Sequence, residues 1–261
     1  MWRVALKVLR PGQIDRSMLK RFQHEAHVLG QLQHSGIAQI FEAGIADTPL
    51  GKQPYLVMEL IEGEPLDRAA ESSDLNVRQR LELLARVCDA VQHAHQKGII
   101  HRDLKPTNVL VTHTTASSTP TSARPSSFIS YADDEIGQPK VLDFGIARVT
   151  NADMQTVTVQ TEVGQLVGTL AYMSPEQVEG NSSDLDTRCD VYALGVMAYE
   201  LLAGRRPLEL GSLPISEAAR RVREDEPPRL GSIDKRLRGD VETIFAKAAP
   251  KKSRQALRIG G

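Results

Sequence analysis

The sequence predicts an α+β protein in two unequal parts, with strands around one helix up to residue 62 and mostly helices beyond it. Three patterns carry this reading. Near the start, Val4, Leu6 and Val8 alternate with Ala5, Lys7 and Leu9, the period of two that marks a strand. "VRQRLELLARVCDAVQHAHQKG" has the apolar spacing of an amphipathic helix of about five to six turns, stopped at Gly98. "VYALGVMAYELLAG" is the most apolar stretch; it contains Glu200 and ends at Gly204, so it reads as a core helix and not as a membrane span.

The remaining elements follow in order. Pro11-Gly12 marks a turn after the first strand. "RSMLKRFQHEAHVLGQLQH" then places Leu19, Phe22, Ala26 and Leu29 at helical spacing. "IAQIFEAGI" and "QPYLVMEL" read as two further strands, and the polar "EGEP" after them is the expected boundary between the parts. "IIHRDLKPTNVLV" has two short apolar runs around a polar loop. Residues 112–139 are rich in Ser, Thr and Pro and poor in large apolar residues, which predicts a disordered or loosely held insertion, with order returning at "KVLDFGIAR". A threonine-rich loop, "GTLAYMSPEQ" and the core helix from Asp190 complete the pattern, and "DVETIFAKA" reads as one more helix.

Composition narrows the function classes. A chain of 261 residues has ample core for one large domain, and its net charge of -1 argues against non-specific binding to nucleic acid or to an anionic membrane. Aromatic residues are only 4%, too few for a base-stacking platform. Cys88 and Cys189 cannot build a disulfide framework, there is no signal peptide, and the reading for this chain is cytoplasmic. His24-Glu25-Ala26-His27 spaces its histidines by three where the helical metalloprotease motif needs four, so a zinc site is not expected. His95 and His101 read as core hydrogen-bonders, Cys88 as core, and Cys189 as unreactive for lack of an activating partner.

The chemistry is concentrated in two polar loops. Asp103 and Asn108 stand five apart in "HRDLKPTN", and Asp143 follows the strand-like Val141-Leu142. Carboxylate and amide oxygens are hard ligands suited to Mg²⁺, which completes its shell with waters and substrate phosphates. A second, metal-free carboxylate can orient an attacking hydroxyl and accept its proton, and Lys7 can neutralise phosphate oxygens. Parts of these kinds suit phosphoryl transfer from a nucleotide.

At this point the chain resembles the eukaryotic-like serine/threonine protein kinases of bacteria. "VALK" is similar to the lysine strand of the N-lobe, "YLVMEL" to the last N-lobe strand and hinge, and "HRDLKPTN" to the catalytic loop. "DFG" is similar to the metal loop, "SPE" stands where the family has Ala-Pro-Glu, and "DVYALG" resembles the anchoring C-lobe helix. The resemblance implies a bilobal protein-kinase-like fold with an incomplete antiparallel-sheet N-lobe over residues 1–62 and a mostly helical C-lobe over 63–248. It implies ATP and Mg²⁺ as cofactors and Ser/Thr side chains of proteins as substrates. Lys7 would contact the nucleotide phosphates and pair with Glu25, which lies on the apolar face of the first helix and needs a cationic partner or a route to solvent. Asp103 would be the catalytic base, Lys105 its helper, and Asn108 and Asp143 the metal ligands. Met58 would gate the back of the adenine pocket, backbone groups of Glu59 and Ile61 would bond adenine, and Ala5 and Leu110 would sandwich the ring. Arg102 implies a pocket for a phosphate on the activation loop, with Thr156, Thr158 and Thr161 as candidate sites of trans-autophosphorylation.

Both ends depart from the family pattern. The two strands and glycine-rich loop that cover the phosphates are not found ahead of Lys7. Residues 249–261 read as an aberrant tail: codons for Gln255 to Gly260, read one nucleotide later, can spell Arg-Arg-Tyr-Ala-Ser-Ala, which the family pattern expects there. Two alternatives to an active kinase therefore stay open, a catalytically inactive kinase-fold binding module and an inert truncated product.

Overall fold

The computed structural model describes residues 3–9, 16–49, 51–112, 136–144, 168–180, 185–211 and 213–248. Strand β1 (Val4–Val8), helix α1 (Arg16–Gly30), β2 (Ile40–Thr48) and β3 (Gly51–Glu59) come first. Their sheet has the order β1-β3-β2 and both pairings are antiparallel. Ala5 faces Met58 and Lys7 faces Leu56, so these four side chains share one face. Leu56 and Met58 are buried, while Val4, Leu6 and Val8 on the opposite face are exposed. α1 packs on β2 through a stripe of Phe22, Ala26 and Leu29, which stand at helical spacing and are buried. The observed strands run from residue 40 to 48 and from 51 to 59, shifted toward the connecting turn from the runs that the apolar pattern marks. The hydrogen-bonded pair Thr48–Gly51 closes the hairpin, and Gly51 supplies the positive φ (101°) that the turn needs.

After β3 the chain forms β4 (Glu64–Pro65), α2 (Leu66–Ser72) and α3 (Val77–Gln96). α3 starts on a capping box between Asn76 and Gln79 and ends before Gly98, whose φ is 74°. Its buried residues Leu83, Val87, Ala90, Val91 and Ala94 lie on one face, as the amphipathic pattern predicts. A 3₁₀ turn at Pro106–Asn108 leads into β5 (Val109–Thr112), which pairs with β6 (Gln138–Val141) and with β4 in a second antiparallel sheet. Gly63 has to be glycine here, because a Cβ would stand 2.5 Å from the Val111 carbonyl oxygen.

The expected insertion at 112–139 is corrected at both ends. Thr112 is the last residue of β5, Ile136 is buried, and Gln138 and Pro139 belong to β6. Composition hid this because Pro139 pairs with Val111 inside a short strand, and Ile136 is a single apolar residue among polar ones. Only the interior of that segment lies outside the described residues.

Among the described residues the elements that follow are helical: α4 (Pro175–Val178), α5 (Arg188–Ala203), α6 (Ile215–Glu224), α7 (Leu230–Ile233), a 3₁₀ turn at Lys235–Leu237, and α8 (Asp240–Ala248). α5 is buried on most sides, which is what an all-round apolar sequence requires. Tyr199 on α5 is the centre of a second cluster with Leu230, Leu237 and Phe245. The whole is the bilobal α+β arrangement that the sequence predicts, and no helix among the described residues is long and apolar enough to cross a membrane.

Candidate active site

The site begins at Asp190, in the first turn of α5. Its carboxylate is wholly buried and accepts three hydrogen bonds: from His101 N–H (2.8 Å), from Arg102 N–H (2.7 Å) and from His95 Nε2 (2.7 Å). A buried carboxylate is tolerable only when its lone pairs are used in this way. The two backbone donors clamp the start of the catalytic loop on the central helix. They also hold Arg102 in the left-handed region (φ 69°), a conformation that an arginine does not adopt without such support. Gln177 Nε2 donates to the Arg102 carbonyl (2.7 Å) and ties α4 to the same point.

His101 joins the two polar loops. Its Nε2 lies 2.7 Å from the Leu142 carbonyl, which can only accept, and its Nδ1 lies 3.3 Å from the Asp103 N–H, which can only donate. Those partners assign the neutral tautomer with the proton on Nε2. Burial pushes the His101 pKa below its usual value, against the opposing pull of Asp190. Leu142 N–H also donates to the Asn108 carbonyl (2.8 Å), so the two polar loops are stitched together twice. The Phe144 ring packs against His101 at 4.8 Å, and the buried Phe144 lines a small cavity with Leu29, Leu32, Ile37, Met58 and Asp143.

Around this frame stand the residues singled out from the sequence. Lys105 Nζ lies 2.9 and 3.2 Å from the Asp103 carboxylate oxygens. Asn108 Nδ2 donates to the Asp103 carbonyl (2.7 Å) and to its Oδ2 (3.2 Å), which uses the amide nitrogen and leaves the amide oxygen for another partner. Asp143, also left-handed (φ 60°), places Oδ2 2.7 Å from Lys7 Nζ across the cleft. Among the described residues the ion-pair partner of Lys7 is therefore Asp143, not the Glu25 that the resemblance implies. Glu25 is half-buried on α1. Ala5 and Met58 face each other across β1 and β3, Leu110 faces Lys140 across β5 and β6, Glu59 is the last residue of β3, and Ile61 lies in the hinge that follows it. Thr156, Thr158 and Thr161 fall outside the described residues.

The structure adds what sequence reasoning missed. Asp190 and Gln177 hold the loop that starts at His101, and an acid in the first turn of a mostly apolar helix is the available signal for Asp190. Lys140 binds both oxygens of the Glu59 carboxylate, at 2.6 and 2.7 Å, and links β6 to the hinge; nothing local in the sequence marks that pair. The silent groups are as expected: burial pushes the Cys189 thiol up to about 12 and raises that of Cys88, so neither is a ready thiolate. No group of three or more His, Cys, Asp or Glu side chains able to hold a metal occurs among the described residues. A site made of one carboxylate and one amide, completed by phosphate oxygens and waters, is compatible with that.

Comparison with known proteins agrees with this geometry. The protein kinase domain model matches residues 2–237. Serine/threonine-protein kinase PknB of Mycobacterium tuberculosis (strain ATCC 25618 / H37Rv) is 36% identical over 250 residues, which is 95% of this chain and 35% of that protein. PknB of Mycolicibacterium smegmatis is 37% identical over 251 residues, with the same two shares of 95% and 35%. Serine/threonine-protein kinase PknA of Mycobacterium tuberculosis (strain ATCC 25177 / H37Ra) is 34% identical over 248 residues, 94% of this chain and 51% of that protein. The chain thus spans between about a third and a half of the length of these relatives. Six motifs in one order, two loops stitched at His101 and a match over nearly all of the sequence give one answer: the chain belongs to the protein kinase family.

Proposed function

We propose that this chain transfers the γ-phosphoryl group of ATP to Ser or Thr hydroxyls of proteins. The observation that carries the reading is the convergence of Lys7, of Asp103 with Asn108, and of Asp143, from three separate places in the sequence, on one cleft. Asp103 is the base. Its carboxylate accepts the hydroxyl proton as the new O–P bond forms and the bond to the β-phosphate oxygen breaks, leaving ADP. Lys105, beside that carboxylate, faces the transferred phosphoryl group and offsets its negative charge. The donor set fits Mg²⁺: Asn108 has its amide nitrogen occupied and its oxygen available, and the Asp143 carboxylate already faces a cation. Mg²⁺, when bound, neutralises phosphate charge. Lys7 then holds phosphate oxygens, and Glu25 on α1 orients it. Ala5 above and Leu110 below sandwich adenine, Met58 closes the back of its pocket, and the backbone groups of Glu59 and Ile61 bond its edge. Thr156, Thr158 and Thr161 are the positions for trans-autophosphorylation, with Arg102 as the phosphate's partner.

The deciding experiment is transfer of label from γ-labelled ATP with Mg²⁺ to a Ser/Thr-containing acceptor protein, using the chain and its Asp103→Asn variant. Transfer by the chain, reduced by about 10²–10⁴-fold in the variant, supports the reading. Nucleotide binding without transfer in either protein would replace it with a binding module. Label on Thr156, Thr158 or Thr161, located by peptide mass, would support the activation-loop assignment.

A further inference from the structure

We propose that Lys140 is a positioning residue for the nucleotide: through Glu59 it fixes the distance between the hinge and the floor of the cleft. The inference rests on reading the cleft as the nucleotide site.

The Glu59 carboxylate is held from two sides. Lys140 Nζ reaches both oxygens at 2.6 and 2.7 Å, and the Gln39 N–H donates to Oε2 at 3.2 Å. Glu59 N–H in turn donates to the Gln39 carbonyl (2.8 Å), so Glu59 is pinned through its side chain and its backbone together. Gln39 is itself anchored, its Nε2 donating to the carbonyls of Ile40 (3.1 Å) and Gly30 (3.4 Å) at the end of α1. The side chains of Lys140 and Glu59 are only 19% and 30% exposed, so water competes weakly for the contact.

The position of Lys140 gives the pair its meaning. Lys140 faces Leu110 across the β5–β6 hairpin, on the same side of the sheet, and Leu110 is the residue that would lie under adenine. Glu59 is the residue whose backbone would meet the edge of adenine. One ion pair therefore spans two walls of the same pocket, and it stands three residues before Asp143. The neighbouring crossing between the lobes is made by backbone alone: Ala38 N–H to the Val141 carbonyl (3.0 Å) and Val141 N–H to the Gly36 carbonyl (2.8 Å). The Lys140–Glu59 contact adds a side-chain tie at the end of β3 to this backbone crossing, alongside the Lys7–Asp143 pair (2.7 Å) across the cleft, and it resists a change in the separation of the two walls.

The test uses Lys140→Gln and Lys140→Arg, each first checked for cooperative unfolding like the parent chain. Hydrogen exchange without nucleotide reads the tie itself. The Gln substitution is expected to speed exchange at the Glu59 amide by about tenfold while the Val141 amide is unchanged, and the Arg substitution to restore it. Calorimetry with Mg²⁺ and ADP reads the consequence, a dissociation constant about five- to tenfold higher for Lys140→Gln and close to the parent for Lys140→Arg. Unchanged exchange at Glu59, or equal effects of Gln and Arg, would overturn the proposal. A parent chain that does not bind ADP would overturn the nucleotide reading and the positioning role with it; the exchange result would still say whether the tie exists.

Discussion

Two buried side chains set what the catalytic loop can do. Asp190 accepts two backbone N–H groups that no other group replaces. Asp190→Ala is expected to cost about 3 kcal/mol, because it leaves both donors buried without partners, and Asp190→Asn less, because one oxygen remains. Urea unfolding of the three proteins checks the order; equal stability would mean that the loop is held elsewhere. His101 adds a pH dependence of known sign. Unfolded, its imidazole titrates near the ordinary histidine value of about 6.5; folded, burial holds it lower. Between the two values the unfolded chain binds a proton that the native chain refuses, so stability falls as pH drops below about 6.5. Urea midpoints at pH 7 and pH 5.5 should fall more for the parent chain than for His101→Gln. An equal fall in both would remove His101 from the account, leaving His93, whose pKa burial also lowers.

The helices show how far a sequence discloses an element and where it stops. α3 was legible from end to end: apolar residues at helical spacing, and Gly98 just past its last turn. Its capping box has a fainter mark, Asn76 and Gln79 at the right separation before the apolar run. Asn76→Ala should cost about 1 kcal/mol in urea unfolding. What no local pattern discloses is the partner of a long polar side chain. Arg80, on the first turn of α3, donates to the carbonyls of Leu75, Ala70 and Leu201, fastening α2, α3 and α5 at one point. Arg80→Ala is expected to destabilise by about 2–4 kcal/mol and Arg80→Lys to recover less than half, since an ammonium cannot fork toward three carbonyls. Full recovery by lysine would mean that charge, not geometry, matters there. The same limit applies at the site. Asp103, Asn108, Asp143 and Lys7 could be named from motif order, whereas the Lys7–Asp143 contact, the left-handed Arg102 and the Lys140–Glu59 pair depend on segments far apart in sequence.

At the scale of the whole molecule, the cleft lies between two sheets that belong to different lobes. Lys7 and Ala5 come from the first; Leu110 and the strand before Asp143 come from the second. A ligand that touches both sheets binds the folded chain and has no site on the unfolded one, so it raises stability by mass action. At a hundred times its dissociation constant the gain is about 2.7 kcal/mol. For a chain of this size that corresponds to a rise in Tm of about 5–10 °C. Mg²⁺ with ADP should produce that shift in a thermal unfolding experiment. Lys7→Met should lose most of it at the same ADP concentration, because the phosphates then have no ammonium from the upper sheet. Asp143→Asn should keep the part of the shift that does not need Mg²⁺, since an amide is a weaker ligand for a hard cation than a carboxylate. A shift of the same size in Lys7→Met as in the parent chain would place the nucleotide outside this cleft. A shift that is independent of Mg²⁺ in the parent chain would remove Asp143 and Asn108 from metal binding without bearing on the proposed place of adenine between Ala5 and Leu110.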